Sequence, residues 1–317
     1  MAALLLVAMM AAVSVQLVDM ASFAVFRTSH IDTRSETYWQ ALGAREFAET
    51  VVTRGLEGSV MRADLPWLNE PQVFAADNAL ISGTIRDANN CFNINALAAS
   101  PGDESDPETQ NALQRNRERF DILMDRIGAP PGQASSLKAQ IIDWIDRDTR
   151  PEAGGAEDEA YQRFDPPYRA ANRPMAELDE LMALPAMTAD FYAFLEPWLC
   201  VLPTSGQPPL NLNTLRLEQA PLLAAAFSQR LDVSDAERVL FRRPPQGYDA
   251  LEGFFADPVI EQLELDGADQ SVVALRSRWF AMAVSVRSEE ARFTVRQLAE
   301  VDESGRVVRH QQRFGTF

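Results

Sequence analysis

The sequence predicts an α/β chain that opens on one long helix and carries a helical block between two sets of strands. Three observations lead there. Residues 1–18 (MAALLLVAMMAAVSVQLV) hold no charged side chain, and apolar character resumes after Asp19 through Phe26. Short stretches rich in branched apolar residues, punctuated by Pro, Gly and Asn, occur before residue 95 and again after residue 272. Between them lies a long run whose apolar residues recur at steps of three and four.

Ala2 to Phe26 would extend about 37 Å as a helix at ~1.5 Å per residue, enough for a hydrocarbon core of ~30 Å. A membrane span is the expectation. A cleaved signal peptide would open on basic residues, and none precedes Arg27; a buried core helix rarely stays uncharged over such a length. Asp19 is costly in lipid and is expected at the interface or against a partner helix. The helix is expected to continue beyond the membrane. In SETYWQALGAREFAETVVTRGL (35–56), Tyr38, Ala41, Ala44, Ala48 and Val51 share one face. Gly55 and Gly58 end it, and the apolar stripe must be buried against something.

Gln72–Val73, Leu80–Ile85 and Cys91–Ile94 read as strands. Ser100–Glu108 (SPGDESDPE) reads as a polar linker. From Thr109 to about Ser228, RFDILMDRIG, LKAQIIDWIDRD, AELDELMAL, ADFYAFLEPWLCVL and RLEQAPLLAAAFSQRL read as helices. After Val272, VVALRSRWFAMAVSVR, ARFTVRQLAEV and RVVRHQQRF are separated by turns at 288–290 and 302–305 and predict a three-stranded antiparallel meander. The simplest topology is one α/β domain interrupted by a helical insertion, with no internal repeat.

Composition narrows the function. The net charge of −17 opposes nucleic-acid binding, which rests on basic surface and counterion release, and favours divalent cations. His30 and His310 are the only histidines, so a His-based triad or a His-rich zinc site is all but excluded. The densest chemistry is DWIDRDTRPEAGGAEDEAYQRFDPPYRAAN (143–172). Asp143, Asp146 and Asp148 fall together at an expected helix end, and Glu157, Asp158 and Glu159 follow the Gly154–Gly155 bend. Two acidic clusters joined by a bend suit calcium, which takes six to eight oxygens; no Cys or His is near for a softer metal. A solvated acidic loop is the alternative. A carboxylate pair for glycoside hydrolysis is a third reading, which no sugar cleft supports. Cys91 and Cys200 are the only thiols. They could bridge in an oxidising compartment. Two separately buried thiols is the reading preferred, since nothing in the sequence brings their Cα atoms within bridging range.

Four stretches then resemble one family, the K subunit of the type II secretion system, its large minor pseudopilin. AALLLVAMMAAVSV is similar to the family's mature N-terminus. IRDANNCFNIN (85–95) is close to its E/D-x-x-G-R-F-N-L-N stretch. DWIDRDTRPEAGGAEDEAYQRFDPPYRAANRPMAELDEL (143–181) is the longest and most specific match. LPTSGQPPLNLNTL (202–215) resembles L-P-x-x-x-x-I-N-V-N-T-A. With the order of helix, strands, helical insertion and strands, the likeness covers nearly the whole chain.

The resemblance implies an α+β, pilin-like fold: a long N-terminal helix packed on an antiparallel sheet, with a large all-helical domain, SAM or helix-hairpin-helix-like, inserted between strands. Its expected parts are 1–26, the transmembrane half of the helix; 27–95, the first pilin-like part; 96–235, the insertion with the acidic loop; and 236–317, the strand-rich second part. It implies a non-enzymatic prepilin, trimmed by a prepilin peptidase and methylated, single-pass in the bacterial inner membrane with its bulk in the periplasm. Its implied partners are the I and J minor pseudopilins, beyond them the H subunit, the inner-membrane assembly platform, and the secreted proteins. With I and J it would form the tip that initiates and caps the pseudopilus. It also implies calcium, one or two ions, at the acidic loop. Carried over by motif, the ligand candidates are Asp146, Asp148, Glu157, Asp158 and Asn172, with Asp143 either a further ligand or a helix cap facing away.

A prepilin leader, basic residues followed by Gly, is not seen in the sequence, so the methylated residue is not read. Ordinary pilin subunits carry Glu at the fifth mature position, where it neutralises a neighbour's terminal amine. Here Leu4, Leu5 and Leu6 stand in its place. An unpartnered carboxylate in an apolar bundle would cost several kcal/mol, and a topmost subunit has no amine above it, so Leu5 suits a tip. Two readings from other classes are weaker. LNLNTLRLEQAPLLAAAF resembles the entry to a DNA-binding helix-hairpin-helix, which the charge opposes. A membrane-tethered periplasmic hydrolase would need a G-x-S-x-G or H-E-x-x-H that the sequence lacks.

Overall fold

A computed structural model describes residues 2–58, 60–76, 78–98, 106–302 and 304–315. Helix α1 runs unbroken from Ala2 to Gly55. After it, in chain order, come β1 (Gln72–Ala76), β2 (Ala79–Asp87), β3 (Phe92–Asn93), α2 (Pro107–Arg126), α3 (Pro131–Ile145), α4 (Asp158–Tyr161), α5 (Ala189–Leu195), β4 (Leu199–Cys200), β5 (Leu210–Asn211), α6 (Ala220–Ala226), α7 (Val233–Arg242) and α8 (Leu251–Phe255). The chain ends with β6 (Val273–Ala274), β7 (Trp279–Ser288), β8 (Arg292–Val301) and β9 (Val307–Gly315). Most of the expected linker, residues 99–105, lies outside the described residues.

The membrane half of α1 is exposed throughout residues 2–29, Leu4, Leu5 and Leu6 included, and is long and apolar enough to cross a bilayer. Two of its hydroxyls bond to the helix's own backbone: Ser14 Oγ donates to the Met10 carbonyl at 2.8 Å and Thr28 Oγ1 to that of Ala24 at 2.9 Å.

The residues fall into two compact units. The first holds residues 1–54, 66–86 and 281–317. It is built on a five-stranded sheet in the order β1-β2-β7-β8-β9, with β1 antiparallel to β2 and β9 antiparallel to β8. The period-two burial of Met282, Val284 and Val286 on β7 shows which sheet face is covered. Thr37, Ala41, Arg45, Ala48, Glu49 and Val52 are the buried residues of α1. Of the predicted stripe, Ala41 and Ala48 are buried, while Tyr38, Ala44 and Val51 are half-buried at its edge. Ala41 meets Val286 and Val295 in a small core, and the Tyr38 ring stands edge-on to Phe293 at 5.1 Å. The unforeseen part is polar. The Glu49 carboxylate accepts from Arg309 Nε and Gln297 Nε2, each at 2.7 Å. Burial pushes the Glu49 carboxyl up; those two bonds, with the charges of Arg309 and Arg45, together outweigh it and hold it below its usual value. The ion pair and amide thus fix the helix against β8 and β9 at one height.

The second unit holds residues 55–65 and 87–280, with one large core that includes Phe120, Leu137, Ile141, Tyr161, Leu223, Phe227 and Phe254. Its extent corrects the expected boundaries. Ala236, Val239 and Leu240 of α7, then Phe254 and Ile260, belong to this core, so the insertion runs to residue 280 rather than 235. At its other end β3 pairs with β4, not with the large sheet, so the insertion begins by residue 87 rather than 96.

Two short parallel pairings share one local pattern. β3 and β4 form one parallel pair and β5 and β6 a second, and each pair opens on a buried Asn-x-Asn. Asn93 Oδ1 accepts from Leu202 N at 3.0 Å, and its Nδ2 donates to Thr204 O at 2.8 Å. Asn95 binds both the N–H and the carbonyl of Met175. Asn213 does the same to Tyr248, at 2.7 and 3.0 Å, while Asn211 Nδ2 donates to Ser277 Oγ at 2.7 Å. A buried amide must be fully bonded, so each Asn pair ties a two-residue strand to distant loops. The β3–β4 pair also brings Cys91 and Cys200 together. They form a disulfide, Cα atoms 5.8 Å apart, across 109 residues of sequence. The reading of two separate thiols is thereby overturned.

Candidate metal centre

The acidic loop hangs from the end of α3 and returns through α4. Asp143 is fully buried on the last turn of α3. Its Oδ1 accepts from Glu152 N at 3.0 Å, which folds the loop back over the helix end. Gly155 is required by this closure: a Cβ there would lie 1.9 Å from Asp143 Oδ2. Gly154, at φ +87°, makes the bend. Asp146 caps α3. Glu157 stands at the start of α4 and is buried.

The carboxylates of Asp146, Asp148 and Glu157 converge, with one oxygen of each within 4.8 Å of the others. Asn172, at φ +48°, ties the far side of the loop to its start: its Nδ2 donates to the Asp148 carbonyl at 3.4 Å. Four carboxylate and amide oxygens of this segment are buried without a hydrogen-bond partner among the described residues: Asp143 Oδ2, Asp146 Oδ1, Glu157 Oε1 and Asn172 Oδ1. Buried acceptors normally find a donor. These four are all acceptors, and they fall between residues 143 and 172.

Burial, reinforced by Asp148, Asp143 and Glu152, lifts the Asp146 carboxyl to about 6. Burial, reinforced by Asp143, Asp146, Asp148 and Asp158, lifts that of Glu157 to about 7. Asp143 is raised mainly by burial. Asp148 is exposed and lowered, chiefly by the Arg150 N–H that its Oδ1 accepts at 2.8 Å.

Of the six predicted ligands, the structure brings three together, Asp146, Asp148 and Glu157, with Asp143 and Asn172 on the same loop. Asp146, Asp148 and Glu157 form the site, Asn172 offers a carbonyl oxygen, and Asp143 locks the loop with one oxygen and leaves the other free. Asp158 is used elsewhere: its Oδ1 accepts from Ala170 N at 3.1 Å and its Oδ2 faces Arg169 at 3.8 Å. The residues sequence reasoning missed are Gly155 and Tyr161. Gly155 was visible only as half of a bend. Tyr161 follows Glu157 by four residues, one helical turn, and that spacing was its only signal. The donor set is all oxygen, mostly anionic, and free of His and Cys, as hard divalent cations require.

Two family models, both described as type II secretion system protein K, match residues 90–204 and 210–276. Each begins and ends close to one of the two parallel strand pairs. The type II secretion system protein K of Pectobacterium carotovorum subsp. carotovorum is 32% identical over 317 aligned residues, covering 98% of the chain and 93% of the relative. That of Klebsiella pneumoniae is 32% identical, covering 88% and 84%. Among solved structures, the chain is similar to one in the crystal structure of the GspK-GspI-GspJ complex from the enterotoxigenic Escherichia coli type 2 secretion system. The TM-score is 0.73 at 26% identity, covering 89% of this chain and 96% of that one.

Proposed function

The chain belongs to the type II secretion system protein K family, and from that premise we propose that it is the minor pseudopilin that starts and caps the pseudopilus, stiffened by calcium at its acidic loop. The single observation that carries the calcium reading is the set of four buried oxygens without donors at Asp143, Asp146, Glu157 and Asn172. Asp146, Asp148 and Glu157 would hold the ion, with Asn172 and Asp143 completing an oxygen shell. The ion would supply the positive charge that three close carboxylates lack, and it would bind the folded loop only.

The anchor reading places α1 in the bacterial inner membrane and the two compact units in the periplasm. The Cys91–Cys200 disulfide supports an oxidising compartment. Processing by prepilin peptidase and methylation belong to the same reading. The structural relative's complex with GspI and GspJ supports assembly with the corresponding I and J subunits. On α1 an outward stripe is available for them. Trp39 and Phe47 are 65% and 58% exposed, one and two turns along, and nothing lies within 4 Å of a Cβ on Gly43 between them. Phe47 is edge-on to Phe74 of β1 at 6.4 Å, which widens the stripe into an apolar patch.

Thermal melting of the full chain in detergent, with calcium and with chelator, tests the metal. Calcium should raise the midpoint. Asp146→Asn combined with Glu157→Gln should abolish the rise and leave the chelator midpoint equal or higher. An identical rise in the double variant rejects the site.

A further inference from the structure

Tyr161 is the largest fully buried side chain in the protein, and its hydroxyl has no hydrogen-bond partner among the described residues. That is unusual, because a buried tyrosine O–H nearly always finds one, and an unmade bond is destabilising. Its surroundings tell where a partner would come from. The ring is held edge-on to Trp144 at 5.3 Å and tilted against Tyr168 at 5.4 Å. Trp144 is the residue after Asp143, and Tyr161 is one turn after Glu157. Beyond burial and Tyr168, the groups that act on the phenol are Asp143 and Glu157, and each of these also has an orphan oxygen. Tyr168 differs in one respect: its hydroxyl donates to the Ala183 carbonyl at 2.7 Å.

We propose that Tyr161 is a positioning residue of the cation site, whose hydroxyl is bonded only when the ion is bound. A bound ion fixes the carboxylates and brings water, and the hydroxyl then bonds to a carboxylate oxygen or to a water on the ion. Outer partners of this kind orient metal ligands. Trp144 Nε1 donates to Glu180 Oε2 at 3.4 Å, and Glu180 Oε1 accepts from the Ala176 and Glu177 N–H groups. The inference rests on the calcium reading above.

The test is Tyr161→Phe in the full chain in detergent, with Tyr168→Phe as the control. Phenylalanine keeps the ring and removes only the hydroxyl. In chelator, Tyr161→Phe should melt at or above the unsubstituted protein. In calcium it should melt lower, with calcium affinity weakened about tenfold, the low end for an outer partner. Terbium emission excited through Trp144 and the tyrosines should titrate to the same weakened affinity. Tyr168→Phe should lower both midpoints equally. Equal shifts of Tyr161→Phe in chelator and calcium, or unchanged affinity, overturn the proposal. An unsubstituted protein whose melting ignores calcium overturns the calcium reading first and this one with it.

Discussion

Asp146 and Glu157 are held at about 6 and about 7, above their ordinary values of 3.8 and 4.5, and this fixes a sign. A carboxyl raised on folding makes the folded state bind more protons than the unfolded one between the two values. In the ion-free protein, stability is therefore lost as pH rises from about 4.5 through about 7. At the proposed site calcium would need the same groups deprotonated, so its stabilisation would grow over the same window. Melting midpoints in chelator should fall between pH 5 and pH 8, and the added rise from calcium should increase. Asp146→Asn with Glu157→Gln should flatten the chelator slope. A slope unchanged by that pair would place the titrating groups elsewhere. At this scale the sequence was informative because acidic side chains declare their chemistry. It was silent on which oxygens are free: Asp158 and Glu157 are adjacent, and only the fold aims one at the Ala170 amide and the other at the site.

Apart from β3, whose stretch Cys91–Ile94 reads as a strand, the elements that escaped sequence reading are the shortest ones. β3, β4, β5 and β6 are two residues each, below any length at which alternation can be seen. What holds them is the bonding of Asn93, Asn95 and Asn213 to distant backbone and of Asn211 to the Ser277 hydroxyl, which propensity does not encode. The end of the insertion was missed for a related reason. Pro244, Pro245, Gly247 and Pro258 cut residues 243–262 into turns too short to show helical period, although Tyr248, Phe254 and Ile260 are buried in the same core. α1 and β7 to β9 were legible because their periods persist over nine residues or more. The disulfide follows from the first of these short pairs, since β3 and β4 seat Cys91 beside Cys200. Closing a loop of 109 residues should stabilise by about 4–5 kcal/mol in the chain-entropy account. Cys91→Ser with Cys200→Ser should lower the melting midpoint by about 10 °C or more, and mild reductant should do the same to the unsubstituted protein. Resistance of the midpoint to both would show that the Asn ladder alone holds the strands.

Over the whole molecule, charge and bulk are unevenly divided. Unit two carries 34 Asp and Glu against 18 Lys and Arg; unit one carries 12 against 11. The near-neutral unit, with its helix stripe at Trp39 and Phe47, is therefore the part that can pack on neighbours without like-charge repulsion. The acidic unit repels its own kind. A fibre built from many copies would bring such units together at every step; a single copy at one end avoids this. The anchor agrees, because no acidic residue lies between Ala2 and Val18. A carboxylate there would need an amine from a neighbour to offset its burial, and Leu5 needs none. Gold-labelled antibody should mark one end of each pseudopilus, once per fibre, with the I and J subunits co-purifying through unit one in a manner insensitive to salt. Trp39→Ala with Phe47→Ala should reduce that co-purification at unchanged melting midpoint. Leu5→Glu restores the possibility of an amine contact and should allow some copies into the shaft. Label spaced evenly along fibres of the unsubstituted protein would reject the end position, and Leu5→Glu with no redistribution would reject the charge argument for it.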